Sequence, residues 1–196
     1  MTVNAATGLQ GATTAHINAY KPGQKVCITE SDMRFEVRRA VIGDEPVLRA
    51  LRLQALTDSP RAFSSTYERE LARTTEDWRR WLAPGVTFLL EAGGEPRGLV
   101  AGSRDPHDFS VVHLMAMWVH PDLRGRGAAH ALVSSVKTWA AEVGATQVRL
   151  NVVESNGCAR QCYERAGFRA TGRQGVVEKT GDVEIKMTCD ASSCDK

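Results

Sequence analysis

The chain has 196 residues, 42% apolar and 24% charged, with 25 Lys+Arg against 23 Asp+Glu and a net charge of +2. That length fits one domain whose core needs no disulfide or metal, the apolar fraction excludes wholesale disorder, and the near-balance of charge gives no support to a nucleic-acid partner. No apolar run approaches the roughly 20 residues that cross a bilayer, no basic-then-apolar leader is visible, and five scattered cysteines (Cys27, Cys158, Cys162, Cys189, Cys194) are unlike the even, dense set of a secreted disulfide scaffold. The expected compartment is the cytoplasm, with no membrane contact.

Residues 1–31 are rich in Ala, Thr, Gly and Asn without a period, and read as a flexible extension in which Val26–Ile28 could form a short strand. Ordered patterning begins after Met33, so the folded domain is expected over 32–190 and a frayed tail over 191–196. Phe35, Val37 and Ala40 alternate with charged residues, the mark of a half-buried strand. Asp44 precedes a helix whose Val47, Leu48, Leu51, Leu53 and Leu56 recur at mostly helical spacing, stopped by Asp58-Ser59-Pro60. A polar helical region follows to about Arg73. Thr74 and Asp77 then have the spacing of a capping box for a short helix carrying Trp78, Trp81 and Leu82.

Val86–Glu91 and Arg97–Ser103 flank Gly93-Gly94-Glu95-Pro96, which predicts a hairpin. Phe109–Val119 is long enough for a central strand. A helix is expected over Gly127–Val143, with Leu132, Val136, Trp139, Ala140 and Val143 on one stripe and Gly144 as its left-handed terminator. Gln147–Val153 reads as a strand, Asn156–Ala166 as a helix, and Phe168–Thr171 and Val183–Thr188 as final strands. A hairpin-rich first half followed by a β-α-β unit predicts an α/β fold: a central mixed sheet with helices on both faces.

The segment Val119-His120-Pro121-Asp122-Leu123-Arg124-Gly125-Arg126-Gly127-Ala128-Ala129 carries the first chemical signal. A strand ends at Val119, and a helix opens around Gly125–Gly127. Glycines let consecutive N–H groups converge, and a helix start adds roughly half a positive charge. Together they make a seat for a phosphate or diphosphate. A dinucleotide fingerprint would need a third glycine where Ala129 and His130 stand, and no Gly-Lys-Ser/Thr follows for a phosphate loop of the Walker type. The plain alternative is a tight turn with solvated arginines.

A second segment, Asn156-Gly157-Cys158-Ala159-Arg160-Gln161-Cys162-Tyr163-Glu164-Arg165-Ala166-Gly167-Phe168, decides between them. Taken together, the two resemble the GCN5-related N-acetyltransferase superfamily. Arg124, Gly127 and Ala129 match its acetyl-CoA loop, and Asn156, Ala159, Tyr163, Gly167 and Phe168 its later signature. The resemblance covers about Arg34 to Cys189.

It implies acetyl-CoA as acetyl donor, no metal, and direct attack by an amine in a ternary complex. The amides of Arg124, Gly125, Arg126, Gly127, Ala128, Ala129 and His130 would hold the diphosphate, and those of Met117 and Val119 the pantetheine arm. Met117 N–H would also face the thioester oxygen. Asn156 would bond the pantetheine or the loop, Ala159 would line it, and Arg160 would approach a phosphate. Tyr163 would protonate the departing thiolate; the plain alternative is a ring packed on the strand.

Counting back from Val119 reaches His113, where histone-acetylating relatives carry a glutamate base. Regular alternation would put it on the face of Met115, Met117 and Val119; the alternative is a hydrogen-bonded, half-buried histidine. Glu91, Glu154 or a chain of waters are other routes for the proton. Cys158 sits in a first helical turn, which permits a covalent acetyl-cysteine, although Cys158 and Cys162 also read as a small apolar helix face. His107, His120 and His130 lie near turns and need no role. Trp78 and Trp81 read as core or lid packing; they and Phe63–Thr66 fall in the helical region that, by the resemblance, usually forms one wall of the acceptor site. The acceptor is expected to be a small-molecule amine, the alternatives being a protein lysine or N-terminus, or a non-catalytic coenzyme A-binding module. A monomer or homodimer is expected.

Overall fold

A computed structural model describes residues 26–28, 35–83 and 85–192. The readings of residues 1–25 and 29–31 as an extension, of 32–34 as the start of the domain, and of 193–196 as a tail, lie outside the described residues.

Among the described residues, eight strands form one sheet in the order β1-β2-β3-β4-β5-β6-β8-β7. In chain order they are β1 (Val26–Ile28), β2 (Phe35–Arg39), β3 (Gly85–Ala92), β4 (Glu95–Arg104), β5 (Val111–Val119), β6 (Gln147–Val153), β7 (Arg169–Val176) and β8 (Val183–Asp190). Neighbours run antiparallel except β5 and β6, the pair joined through a helical crossover. Val26–Ile28 pairs with Phe35–Val37, so the sheet reaches into the segment read as an extension.

Helices α1 (Glu45–Asp58), α2 (Tyr67–Leu71) and α3 (Thr75–Leu82) precede β3; α4 (Ala128–Glu142) joins β5 to β6, and α5 (Gly157–Arg165) joins β6 to β7. Local rules explain their ends. Pro46 sits in the first turn of α1, where its missing N–H costs nothing. The Asp44 side chain does not cap that helix; it turns back to accept a bidentate pair from Arg38 at 2.7 and 2.8 Å. Thr74 and Asp77 complete the expected capping box. Gly93 and Gly94, at φ 61° and 81°, form the two-residue turn between β3 and β4.

The sheet buries both faces. One meets α4 and α5 through Val112, Leu114, Val119, Leu132, Val136 and Phe168. The other meets α1 and α3 through Leu48, Leu51, Trp78, Leu89, Leu99 and Trp118. Each fully buried large side chain contributes roughly 1.5–3 kcal/mol, so these two clusters fix which way every strand faces. Leu53 departs from the expected stripe and turns out of the core.

Two buried basic side chains have no apolar-pattern signature. Arg52 stacks on Phe63 at 4.5 Å and ion-pairs Glu70 at 3.7 Å, so the polar region before Arg73 is packed, not solvated. Lys137 on α4 donates from Nζ to the Ala166 carbonyl at 3.1 Å, tying α4 to the end of α5.

Candidate active site

The site begins with an interruption of β5. Leu99 pairs with Trp118, but Ala101, two residues on, pairs with Met115. Ala116 and Met117 together therefore oppose Val100, a β-bulge, and Ala116 adopts φ 54°. The extra residue reverses the strand's alternation. Val112 and Leu114 face α4 before the bulge, and Met117 and Val119 face it afterwards. His113 and Met115 consequently lie on the opposite face from Met117 and Val119, which corrects the shared face expected from an unbroken strand.

Beyond the bulge the sheet opens. The β5–β6 ladder runs only from Val111↔Gln147 to His113↔Arg149. Past it, Leu114–Val119 and Leu150–Val153 diverge, although β6 remains paired to β8 as far as Val153. His120 N–H donates to the Arg97 carbonyl on β4 at 2.8 Å. Strand alternation then aims the N–H groups of Met117 and Val119 away from β4, into the gap. The gap thus offers a row of backbone donors that no ladder consumes.

Its wider end meets the start of α4. Gly125 and Gly127 take φ 75° and 82°, left-handed values that other residues adopt only at a cost. A Cβ on Gly125 would meet nothing within 4 Å, and one on Gly127 only the edge of Phe35 at 4.0 Å, so the space over the loop is open. Ala128 and Ala129, in the first helical turn, have N–H groups with no intrahelical acceptor. Exposed Arg126 adds a full positive charge. Open space, convergent donors and positive potential fit a diphosphate, and the gap behind fits an extended amide-bearing arm.

Two expected donors are already engaged. Arg124 N–H bonds the Pro121 carbonyl at 3.1 Å. The Arg124 side chain turns inward: Nε donates to the Val119 carbonyl at 3.0 Å and Nη2 pairs with Asp58. His130 also holds an interaction within the protein. The anion reading therefore rests on Gly125–Ala129 and Arg126.

Asp58 closes α1 and faces this loop. Burial alone would push its carboxyl up, but hydrogen bonds from Trp118, Ser59 and Arg124 and the charge of Arg124 outweigh it and leave the group below the usual carboxylate range. Asp58 also lines a groove of about 540 Å³ between α1, α2 and the end of β5, with Leu53, Tyr67, Trp118 and His120. His120 sits edge-on to Trp118 at 5.9 Å, so a histidine read as roleless belongs to the groove. No motif marks these residues; the out-of-stripe position of Leu53 was the available hint.

The second signature lies beside the gap. Asn156 Oδ1 accepts from Ala159 N–H at 3.1 Å, capping α5. Tyr163 is 7% exposed, packs edge-on to Phe168 at 5.8 Å and belongs to the same apolar cluster as Met117 and Ala159. Burial raises its phenol well above the ordinary value. It is therefore a weaker acid than free tyrosine, and stays protonated. Arg160 pairs with Glu164 at 3.9 Å. Cys158 is exposed, so it does not form a packed apolar face with Cys162, whose thiol burial raises.

His113, 40% exposed, holds Nε2 2.8 Å from the Asp105 carboxylate. That contact, with backbone N–H groups of His107 and Asp108, holds Asp105 down to about 2. Glu91 is engaged by Arg38 at 2.7 Å; Glu154 is exposed at the end of β6. The Phe63–Thr66 segment is fastened from above. Lys179 Nζ donates to the Pro60 and Ser65 carbonyls at 3.3 Å each, and Arg61 pairs with Asp182. Among the described residues no cluster of His, Cys, Asp and Glu could hold a metal, and no helix is long and apolar enough to cross a membrane.

Residues 53–168 match the Acetyltransferase (GNAT) family. An acetyltransferase of Pectobacterium atrosepticum is 37% identical over 85 residues, which is 43% of this chain and 58% of that protein, so the match spans little more than half of the relative's length. A GNAT-family acetyltransferase structure from Streptococcus pneumoniae superposes with a TM-score of 0.68 at 19% identity, covering 80% of this chain and 98% of that one. A Salmonella typhimurium protein described as an acetyltransferase, solved with its cofactor acetyl-CoA, gives 0.67 at 17% identity over 85% and 98%. The ribosomal-protein-alanine N-acetyltransferase from Brucella melitensis gives 0.66 at 19% over 79% and 98%. At such identities the likeness establishes the mixed α/β fold with helices on both faces.

Proposed function

Because the chain belongs to the Acetyltransferase (GNAT) family, we propose that it transfers the acetyl group of acetyl-CoA to an amine of a small molecule, by direct attack in a ternary complex. The observation that carries this reading is the pairing of the opened edge of β5, with the amides of Met117 and Val119, and the left-handed glycines at the start of α4 that follow it after one short turn. The catalytic unit is residues 32–190.

Acetyl-CoA supplies an acyl carbon already activated as a thioester. The amides of Gly125–Ala129, with Arg126, hold its diphosphate, and those of Met117 and Val119 align the arm. The Met117 N–H is positioned to stabilise negative charge on an acyl oxygen; a single preorganised donor of that kind is worth about 3–4 kcal/mol. Tyr163, kept neutral by burial, has its proton available for a departing sulfur. Ala159 lines the arm, Asn156 has its amide nitrogen left for it, and Arg160 stands at the helix start beside it.

His113 takes up the amine proton, oriented by Asp105 at Nε2. It stands four residues before Met117, about 13 Å along a strand at roughly 3.3 Å per residue. Water between them relays the proton.

Two features support a small acceptor over a protein. The 540 Å³ groove beside Trp118 has the size of a small-molecule pocket, typically about 300–1,000 Å³. The Lys179 and Arg61–Asp182 contacts fasten the 177–182 turn to the 60–66 segment, which runs into Tyr67 of the groove wall, a fixed wall that suits a small acceptor. A thiol-release assay with acetyl-CoA and a panel of small amines and peptides tests the reading. A small amine should accelerate release; acceleration by peptides alone would overturn the acceptor class, and none at all would point to a binding module without turnover.

A further inference from the structure

One carboxylate oxygen joins elements far apart in the chain. Asp58 Oδ2, at the end of α1, accepts from Trp118 Nε1 at 2.9 Å, from Ser59 Oγ at 2.7 Å and from Arg124 Nη2. Trp118 is the residue just past the bulge, and Arg124 the one just before the first left-handed glycine. Arg124 in turn holds the Val119 carbonyl at 3.0 Å. The side chain of Asp58 is 26% exposed and that of Arg124 47%, so the pair lies at the rim of the groove, partly sheltered from screening.

Buried Leu123 and the bond from His120 N–H to the Arg97 carbonyl anchor the first half of the loop from His120 to Gly127; the second half has few other restraints. The Pro121–Leu123 turn is short, and the two glycines impose no side-chain packing. The Arg124 side chain is what fastens the glycine-bearing half of the loop to the body of the protein. Removing Asp58 leaves the Arg124 side chain with only the Val119 carbonyl, and the amides of Gly125–Gly127, which lead into α4, lose part of their fixed direction. Backbone donors bind an anion well only when already aimed, because aiming them on binding costs conformational entropy.

We propose that Asp58 is a positioning residue that sets the diphosphate loop through Arg124 and registers it to the end of β5 through Trp118. The proposal rests on the reading of that loop as the diphosphate seat. It makes a prediction which a general loss of stability does not. Asp58 matters for ligands that carry the diphosphate and not for ligands that lack it.

The test is calorimetric titration of the wild type, Asp58→Asn, Arg124→Met and the double variant with coenzyme A and, separately, with pantetheine. Wild type should bind coenzyme A far more tightly than pantetheine. Asp58→Asn should raise the dissociation constant for coenzyme A about tenfold and leave that for pantetheine unchanged. The double variant should be no weaker than Arg124→Met alone, the non-additivity expected of residues acting through one contact. Equal weakening toward both ligands, or additive losses in the double variant, would overturn the role of Asp58. Wild type that did not distinguish the two ligands would instead overturn the reading of the loop itself.

Discussion

Leu114 and Val119 bury their side chains in the same apolar cluster, although they stand five positions apart on one strand, an odd spacing that regular alternation would send to opposite faces. The bulge at Ala116 and Met117 absorbs the difference. The β5–β6 ladder ends at His113, just before this irregularity, and the amides of the gap lie beyond it. The packing of one face and the open edge on which the proposed function rests thus meet at one extra residue.

Ala116 bears the local cost, at φ 54°. Replacing it by Gly should relieve strain and change stability by only about 1 kcal/mol or less, with the gap preserved. Valine, whose branched Cβ is far less compatible with that region, should lower stability by roughly 1–3 kcal/mol or push the bulge out. Thermal melts and coenzyme A titration of both variants check this. Equal affinity and melting temperature for Ala116→Val would mean that the bulge does not depend on residue 116.

Tyr163→Phe keeps the ring that packs on Phe168 and removes only the hydroxyl. Turnover should fall by about 10²–10⁴, the range for a lost general acid, while affinity for acetyl-CoA stays within about twofold of wild type. Single-turnover kinetics beside a binding titration measure both. An unchanged rate would return Tyr163 to a packing role.

The Asp105–His113 contact has a signed pH consequence. Asp105 is held at about 2 in the folded protein, below its ordinary 3.8, first by His113 and then by backbone N–H groups. Its contribution to stability is therefore full above about pH 4 and is lost as the pH falls toward 2. Asp105→Asn should flatten acid unfolding in that window, followed by circular dichroism. It should also slow turnover without altering acetyl-CoA affinity, since it leaves His113 unoriented. Retention of the wild-type acid limb would show that the contact is not formed in solution.

Lys137 is 4% exposed, and its bond to the Ala166 carbonyl places a cation at the C-terminal end of α5. Lys137→Ala should cost about 2–4 kcal/mol, combining a charged hydrogen bond with a cavity between α4 and α5. Chemical denaturation gives the value directly. A loss below about 0.5 kcal/mol would indicate that the lysine head reaches solvent instead.

The ladder of elements was legible in the sequence because it depends on local rules. Alternation in Phe35–Val37, glycine pairs at turns and a capping box at Thr74 each act within a few residues. The two signature segments were legible for the same reason, since left-handed glycines and a helix start determine what Gly125–Ala129 can hold. What escaped depends on partners distant in the chain. Nothing near His113 signals that Ala116 will bulge, because the bulge answers to the packing of α4 and to the pairing with β4. Arg124 reads as an anion ligand until α1 brings Asp58 beside it, 66 positions earlier in sequence. Likewise Arg52, Glu70 and Lys137 read as surface charges until the aromatics and carbonyls that accept them are in place.

The most direct test of the account follows backbone amide resonances while coenzyme A is titrated into the protein. The account predicts saturable shifts concentrated at Gly125, Arg126, Gly127, Ala128 and Ala129, continuing to Met117 and Val119, and largely abolished in Gly127→Val. Shifts centred on another face of the sheet, or undiminished binding by Gly127→Val, would contradict it.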